Sequence, residues 1–203
     1  AVMAFWGAPL PREDHALTAC RVALKNREKL IGLSEQFARE GLPAVRARIG
    51  LNSGPAVVGN LGSSRRFSYT AMGDTVNLAS RLEGANKNYG SWILISEQTK
   101  KAAGDAVETR ALDFIKVKGK NLPVGVYELL GLRGATEPAL LAKARLFESG
   151  LGLYRARCWE EALAVFERVK PDAAAELYIG RCRRFQAEPP PEDWDGSYAL
   201  KEK

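Results

Sequence analysis

Residues 72–90 read MGDTVNLASRLEGANKNYG, and the spacing inside this stretch decides how the chain is organised. Gly73 and Asp74 open a helix. At about 100° per residue, Val76, Leu78, Ala79, Leu82 and Ala85 fall on one broad apolar side, while Arg81 lies about 40° around from Asn77. An amide and a guanidinium therefore share the face that looks away from the core. The planar fork of arginine donates several charge-assisted hydrogen bonds and suits a phosphate, and an amide can both donate to and accept from a ribose. A solvated polar face has the same pattern, so geometry alone leaves both readings open.

Working outward, Val45, Ala47, Ile49 and Leu51 alternate with Arg46, Arg48, Gly50 and Asn52, the period of two expected of a half-buried strand. A turn at Ser53, Gly54 and Pro55 leads to a second strand over residues 56–61. A loop of Gly59, Asn60, Gly62, Ser63 and Ser64 follows, then an extended run over residues 66–72 that enters the helix. Further upstream, an amphipathic helix starts after Pro11 with Glu13 and Asp14. It carries Leu17, Cys20, Leu24, Ile31 and Ala38 at helical spacing and stops at Gly41 and Pro43. The apolar run 1–6, ending at Gly7 and Pro9, reads as a strand already under way, so more sequence is expected ahead of Ala1.

Downstream, residues 91–95 are β-rich and Ser96 is placed to cap a short helix through Ala103. Residues 112–117 and 124–130 flank the polar turn Lys118, Gly119, Lys120, Asn121, a hairpin pattern. Hairpins mixed with crossover helices argue for an α+β sheet with packed helices, rather than a purely parallel doubly wound one. After Gly131, Gly134 and Pro138 the β-rich runs give way to Ala, Leu, Glu and Arg, and the remainder reads as a small all-α tail. Gly150, Tyr154, Trp159, Ala162 and Phe166 fall near the positions of the tetratricopeptide pattern, with a further helix over 173–185. A lone repeat cannot bury its own apolar face, so the tail is expected to pack on the first domain, on a partner or on a second copy. Three consecutive prolines within 188–192 make that end extended. The expected division is 1–134, 135–187 and 188–203.

Composition narrows the chemistry. The formal charge is +6, but the 30 Lys+Arg are scattered among 24 Asp+Glu, so an anionic ligand such as a nucleotide is permitted while no stripe points to nucleic acid. A single histidine, His15, argues against Ser-His or Cys-His catalysis. Cys20, Cys158 and Cys182 are widely spaced with no zinc-ligand pattern, and read as core thiols in a reducing compartment. No apolar run approaches the length of a membrane span, which suits a cytoplasmic domain. A Walker-type phosphate loop is absent, so Gly50, Gly54 and Gly59 read as turn and close-approach glycines.

A family resemblance sharpens this picture. Residues 48–83, RIGLNSGPAVVGNLGSSRRFSYTAMGDTVNLASRLE, resemble the signature of class III adenylate and guanylate cyclases. FIKVKGKNLPVGVYEL at 114–129 is similar to the Lys-Gly-Lys hairpin that follows in that family, and AVMAFWGAP at 1–9 to its third strand. The resemblance runs in order through about residues 1–130. It implies a ferredoxin-like cyclase sheet with packed helices, whose N-terminal portion lies upstream of this stretch. It also implies a lyase that converts ATP to cyclic AMP and pyrophosphate at a homodimer interface with two Mg²⁺ or Mn²⁺ ions, guanylate cyclase being the lesser alternative. Carried over residue by residue, Asn77 would orient the ribose and Arg81 would stabilise charge on the α-phosphate as the 3′-hydroxyl attacks and pyrophosphate leaves. Lys118 and Lys120 would hold the terminal phosphates. Thr70, three residues before Gly73, would help to choose the base; its hydroxyl fits adenine with a lysine partner but does not exclude guanine.

The family's two metal-holding aspartates, and its base-recognising lysine, are expected upstream of Ala1, so this stretch alone is expected to be inactive. In the family's head-to-tail dimers one subunit supplies the metals and the other the Asn and Arg. The tail resembles C-terminal extensions on bacterial cyclases with extracellular sensors, which implies a membrane-anchored parent. The alternative is an inactive fragment or scaffold whose helical tail, residues 139–186, docks another protein.

Overall fold

A computed structural model describes residues 2–63, 66–115 and 123–197. In chain order these form helix α1 (His15–Arg39), strands β1 (Ile49–Leu51), β2 (Val57–Ser63) and β3 (Arg66–Met72), helix α2 (Asp74–Tyr89) and strand β4 (Ile93–Ser96). Helix α3 (Glu97–Ala103), a 3₁₀ turn, strands β5 (Val107–Ile115) and β6 (Val124–Leu132), and helices α4 (Pro138–Arg155), α5 (Trp159–Val169) and α6 (Ala173–Ala187) complete the chain. None of these helices is long and apolar enough to cross a membrane.

The main sheet has the order β1-β4-β6-β5, with β1 parallel to β4 and the other pairs antiparallel. Strand β4 is buried at every position, because successive side chains serve opposite faces. Ile93 and Ile95 pack with Ala16, Cys20 and Ala23 of α1, while Leu94 joins Leu78, Leu82 and Tyr89 of α2. The sheet is therefore covered on both sides, an α+β arrangement. Strands β2 and β3 form a separate antiparallel hairpin that leads directly into α2.

Helix α2 lies close on β1 because Gly50 has no side chain. A Cβ there would sit 2.2 Å from the Ala79 carbonyl oxygen and 2.3 Å from the Glu83 nitrogen, both backbone atoms. Gly50→Ala is therefore expected to destabilise the protein by at least about 1–3 kcal/mol in a denaturant titration, since the helix must move off the strand.

The C-terminal helices cover the α2 side of the same sheet. Phe147 and Tyr154 of α4, Phe166 of α5 and Tyr178 and Phe185 of α6 share one apolar core with Leu82, Leu94 and Leu112. Of the three docking arrangements open to the tail, it adopts the one on the first domain. Charge reinforces the join, because Arg110 on β5 bonds Glu128 on β6 at 2.7 Å and Asp172 before α6 at 2.7 Å. Burial raises the Glu128 pKa, and the adjacent guanidinium only partly offsets that rise. Beyond α6, Arg157 donates to the carbonyls of Pro190, Pro191 and Glu192, and Trp194 packs edge-on against Tyr154 at 5.4 Å.

Several sequence expectations change. Residues 2–6 form no strand among the described residues; the run is apolar enough, but a strand exists only where a ladder partner pairs with it. The strand expected from Val45 shortens to Ile49–Leu51, as Val45 bonds the Ser34 hydroxyl and Arg46 turns across to the carbonyls of Gly90 and Ser91. Strand β5 begins at Val107, five residues before the expected start at Leu112. Only the first half of α1 packs as expected, with Ile31 41% exposed. Cys20 and Cys182 are buried free thiols, each pushed up to about 11 by burial, and Cys158 is half-buried.

Candidate active site

Helix α2 is fixed at three levels, and each level is built from the strands or loops around it. At its start Gly73, with φ 132°, makes the turn out of β3. The Asn52 amide then donates to the Thr75 carbonyl at 2.9 Å, and the Thr75 hydroxyl donates to the Pro55 carbonyl at 2.6 Å. Its middle rests on Gly50. Near its end the buried Asn86 amide donates to the carbonyls of Ile49 and Leu82, at 2.9 and 3.0 Å, and accepts from the Ser91 hydroxyl. The last residue, Tyr89, donates its hydroxyl to Asp113 at 2.8 Å. Burial, and then the Asp113 carboxylate, push the Tyr89 hydroxyl well above the usual phenol range.

On this clamped rod, Asn77 is exposed and Arg81 is half-buried and engaged, one turn apart. Leu78, Leu82 and Ala85 are buried on the other side, so the amide and guanidinium occupy the shared outer face that their spacing predicts. Thr70 is half-buried on β3, paired with Gly59 of β2. Lys118 and Lys120 lie outside the described residues.

A cavity of about 600 Å³ opens beside α2, lined by Phe5, Trp6, Asn52, Thr75, Val76 and Ala79 among others. Thr75 and Ala79 are each two residues from Asn77, which puts them on the opposite side of the helix. Asn77, Arg81 and Thr70 are not among the lining residues. This cavity and the candidate catalytic face therefore look in different directions. Among the described residues no three His, Cys, Asp or Glu side chains gather to hold a metal ion.

Several residues that hold this geometry escaped sequence reasoning. Asn52 and Asn86 sit at polar positions of a strand end and a helix, and only their distant carbonyl partners give them a role. Asp113 left a fainter sign, a lone charge between Leu112 and Phe114, whereas Arg181, close to Arg183 and Arg184, left none.

Comparison with known proteins agrees with this arrangement. Residues 1–131 match the family model described as the adenylate and guanylate cyclase catalytic domain. Adenylate cyclase 1 of Rhizobium meliloti (strain 1021) is 44% identical over 132 residues, 65% of this chain and 20% of that protein. The terminal-differentiation specific adenylate cyclase of Dictyostelium discoideum is 33% identical over 195 residues, 90% of this chain and 9% of that protein, so that match extends through the C-terminal helices. The chain thus spans a fifth or less of the length of these relatives. Among solved structures, the adenylyl cyclase CyaB from P. aeruginosa superposes with a TM-score of 0.57 at 32% identity, covering 66% of this chain and 68% of that one. With a family model matched across well over half its length, this chain belongs to the adenylate and guanylate cyclase catalytic domain family.

Proposed function

We propose that the longer protein carrying this chain is an adenylate cyclase, converting ATP to cyclic AMP and pyrophosphate across the interface of a homodimer. The observation that carries the reading is the outward face of α2. Asn77 and Arg81 share it, and they turn away from the cavity beside α2. Such a face acts on a nucleotide when the rest of the nucleotide's site comes from elsewhere, which we assign to a second subunit. Asn77 then orients the ribose, and Arg81 neutralises charge that grows on the α-phosphate as the 3′-oxygen bonds phosphorus and the bond to pyrophosphate breaks.

Lys118 and Lys120 are proposed to hold the β- and γ-phosphates, and Thr70, at the hairpin's approach to α2, to contact the base. The adenylate cyclase names of the relatives favour ATP over GTP. Mg²⁺ or Mn²⁺ would supply Lewis-acid activation of the reacting oxygens, with the family's aspartates sought in the sequence ahead of Ala1. We further read residues 1–134 as cyclase domain and 135–187 as a helical extension. Its α4–α5 pair is tetratricopeptide-like, supported by Gly150 lying against Phe166 and by the Tyr154–Trp159 ring contact at 5.4 Å.

The test is an assay of the full-length protein with ATP or GTP and either metal, followed by chromatography of the products. Cyclic AMP and pyrophosphate in equal amounts are expected. Absence of both cyclic nucleotides under all four conditions sinks the reading; cyclic GMP alone sinks the choice of base.

A further inference from the structure

The C-terminal helices do more than cover the sheet. Strand β5 carries a bulge: Ala111 faces Tyr127 and Asp113 faces Val126, leaving Leu112 as the extra residue. In consequence two consecutive side chains, Leu112 and Asp113, are buried where a regular strand would bury one. Asp113 is delivered in this way to the junction of α2 and α6. Its Oδ2 accepts from the Tyr89 hydroxyl at 2.8 Å and from Arg181 Nη1 of α6 at 2.7 Å, and its Oδ1 from the Phe114 amide at 2.8 Å. The side chains of Arg181 and Asp113 are 4% and 1% exposed.

We infer that α6 sets the position of α2 for the reaction through this node, with Arg181, Asp113 and Tyr89 as positioning residues. Apolar contacts already dock the tail, and a buried ion pair adds little net docking strength, while fixing one arrangement of its partners. Tyr89 is the terminal residue of the helix that presents Arg81 and Asn77, at about 12 and 18 Å along the axis. A tilt of about 3° about Tyr89 moves Asn77 by about 1 Å, and an error of that size in a reacting geometry can lower a rate about a hundredfold. The catalytic part of this inference rests on the cyclase reading above; the mechanical part does not.

The test compares Tyr89→Phe, Arg181→Met and Arg181→Lys in the full-length protein by hydrogen exchange and steady-state kinetics. Tyr89→Phe and Arg181→Met are expected to speed exchange of α2 amides about tenfold, leaving α1 amides unchanged. They are expected to lower kcat by about 10- to 100-fold with KM within about threefold of wild type, and Arg181→Lys to recover part of the loss. Exchange changes confined to α4–α6 overturn the coupling of α6 to α2. Faster α2 exchange with unchanged kcat overturns its catalytic consequence. Should Arg181→Met fail to fold, Tyr89→Phe, which removes one oxygen and leaves the ion pair, decides the matter alone. A wild-type protein without cyclase activity counts against the cyclase reading, and the exchange data still decide the coupling.

Discussion

If the proposed activity holds, Arg81→Ala in the full-length protein is expected to slow formation of cyclic AMP about a thousandfold and to change KM for ATP far less. The loss corresponds to about 4 kcal/mol of transition-state stabilisation. Its size follows from where charge develops: an oriented guanidinium is worth most when the phosphate it faces gains charge late and in a water-poor site. Arg81 is half-buried on the outer side of α2, so its truncation opens no cavity in the core around Leu78 and Leu82. The melting temperature should accordingly fall by only a few degrees, about the cost of one lost contact of a half-buried side chain. Arg81→Lys keeps the charge but loses the planar fork, and is expected to recover only part of the rate. Equal rates for wild type and Arg81→Ala would remove this residue from the mechanism.

Phe147→Ala is expected to cost about 3–5 kcal/mol of folding stability, the range for deleting a fully buried aromatic ring. Phe147 is 0% exposed. It touches Phe166 at 5.3 Å and Tyr178 at 5.7 Å between ring centroids, and the Arg110 guanidinium lies 4.8 Å from its own. The mode of unfolding matters as much as the size. Phe147 belongs to one core with Leu82, Leu94 and Leu112, so the helical tail and the sheet are expected to unfold in a single step. Far-ultraviolet circular dichroism and tryptophan fluorescence, which Trp159 and Trp194 report from the tail and Trp92 from the sheet, should give coincident transitions in wild type and variant. A separate early transition in the tail would contradict the shared core.

What the sequence made legible was local. Ser96 was placed as a cap from its position before a short helix, and its hydroxyl accepts from the Thr99 amide. The shared face of Asn77 and Arg81 followed from the helical period, whereas Gly59, Asn60, Gly62 and Ser63, read as a loop from their composition, belong to β2 and are held in strand by pairing with β3. The illegible parts depend on partners far along the chain. Glu108, Thr109 and Arg110 look too polar for a strand, but Arg110 is 6% exposed because Glu128 and Asp172 neutralise it. The apolar run at residues 2–6 has the composition of a strand and, among the described residues, no ladder to join. Within the candidate site, the Asn52–Thr75 bond spans 23 residues and the Asp113–Arg181 pair spans 68, distances over which no periodicity carries information.

The extra residue in β5 makes the length of that strand as constrained as its composition. Deleting Leu112 would remove this bulge while Ala111 still faces Tyr127 and Asp113 still faces Val126. The strand would then bury one side chain where it now buries two, so either the Asp113 carboxylate leaves Arg181 or the place of Leu112 in the core stands empty. Sequence drift that keeps every residue type but changes the count by one is therefore more damaging here than most substitutions.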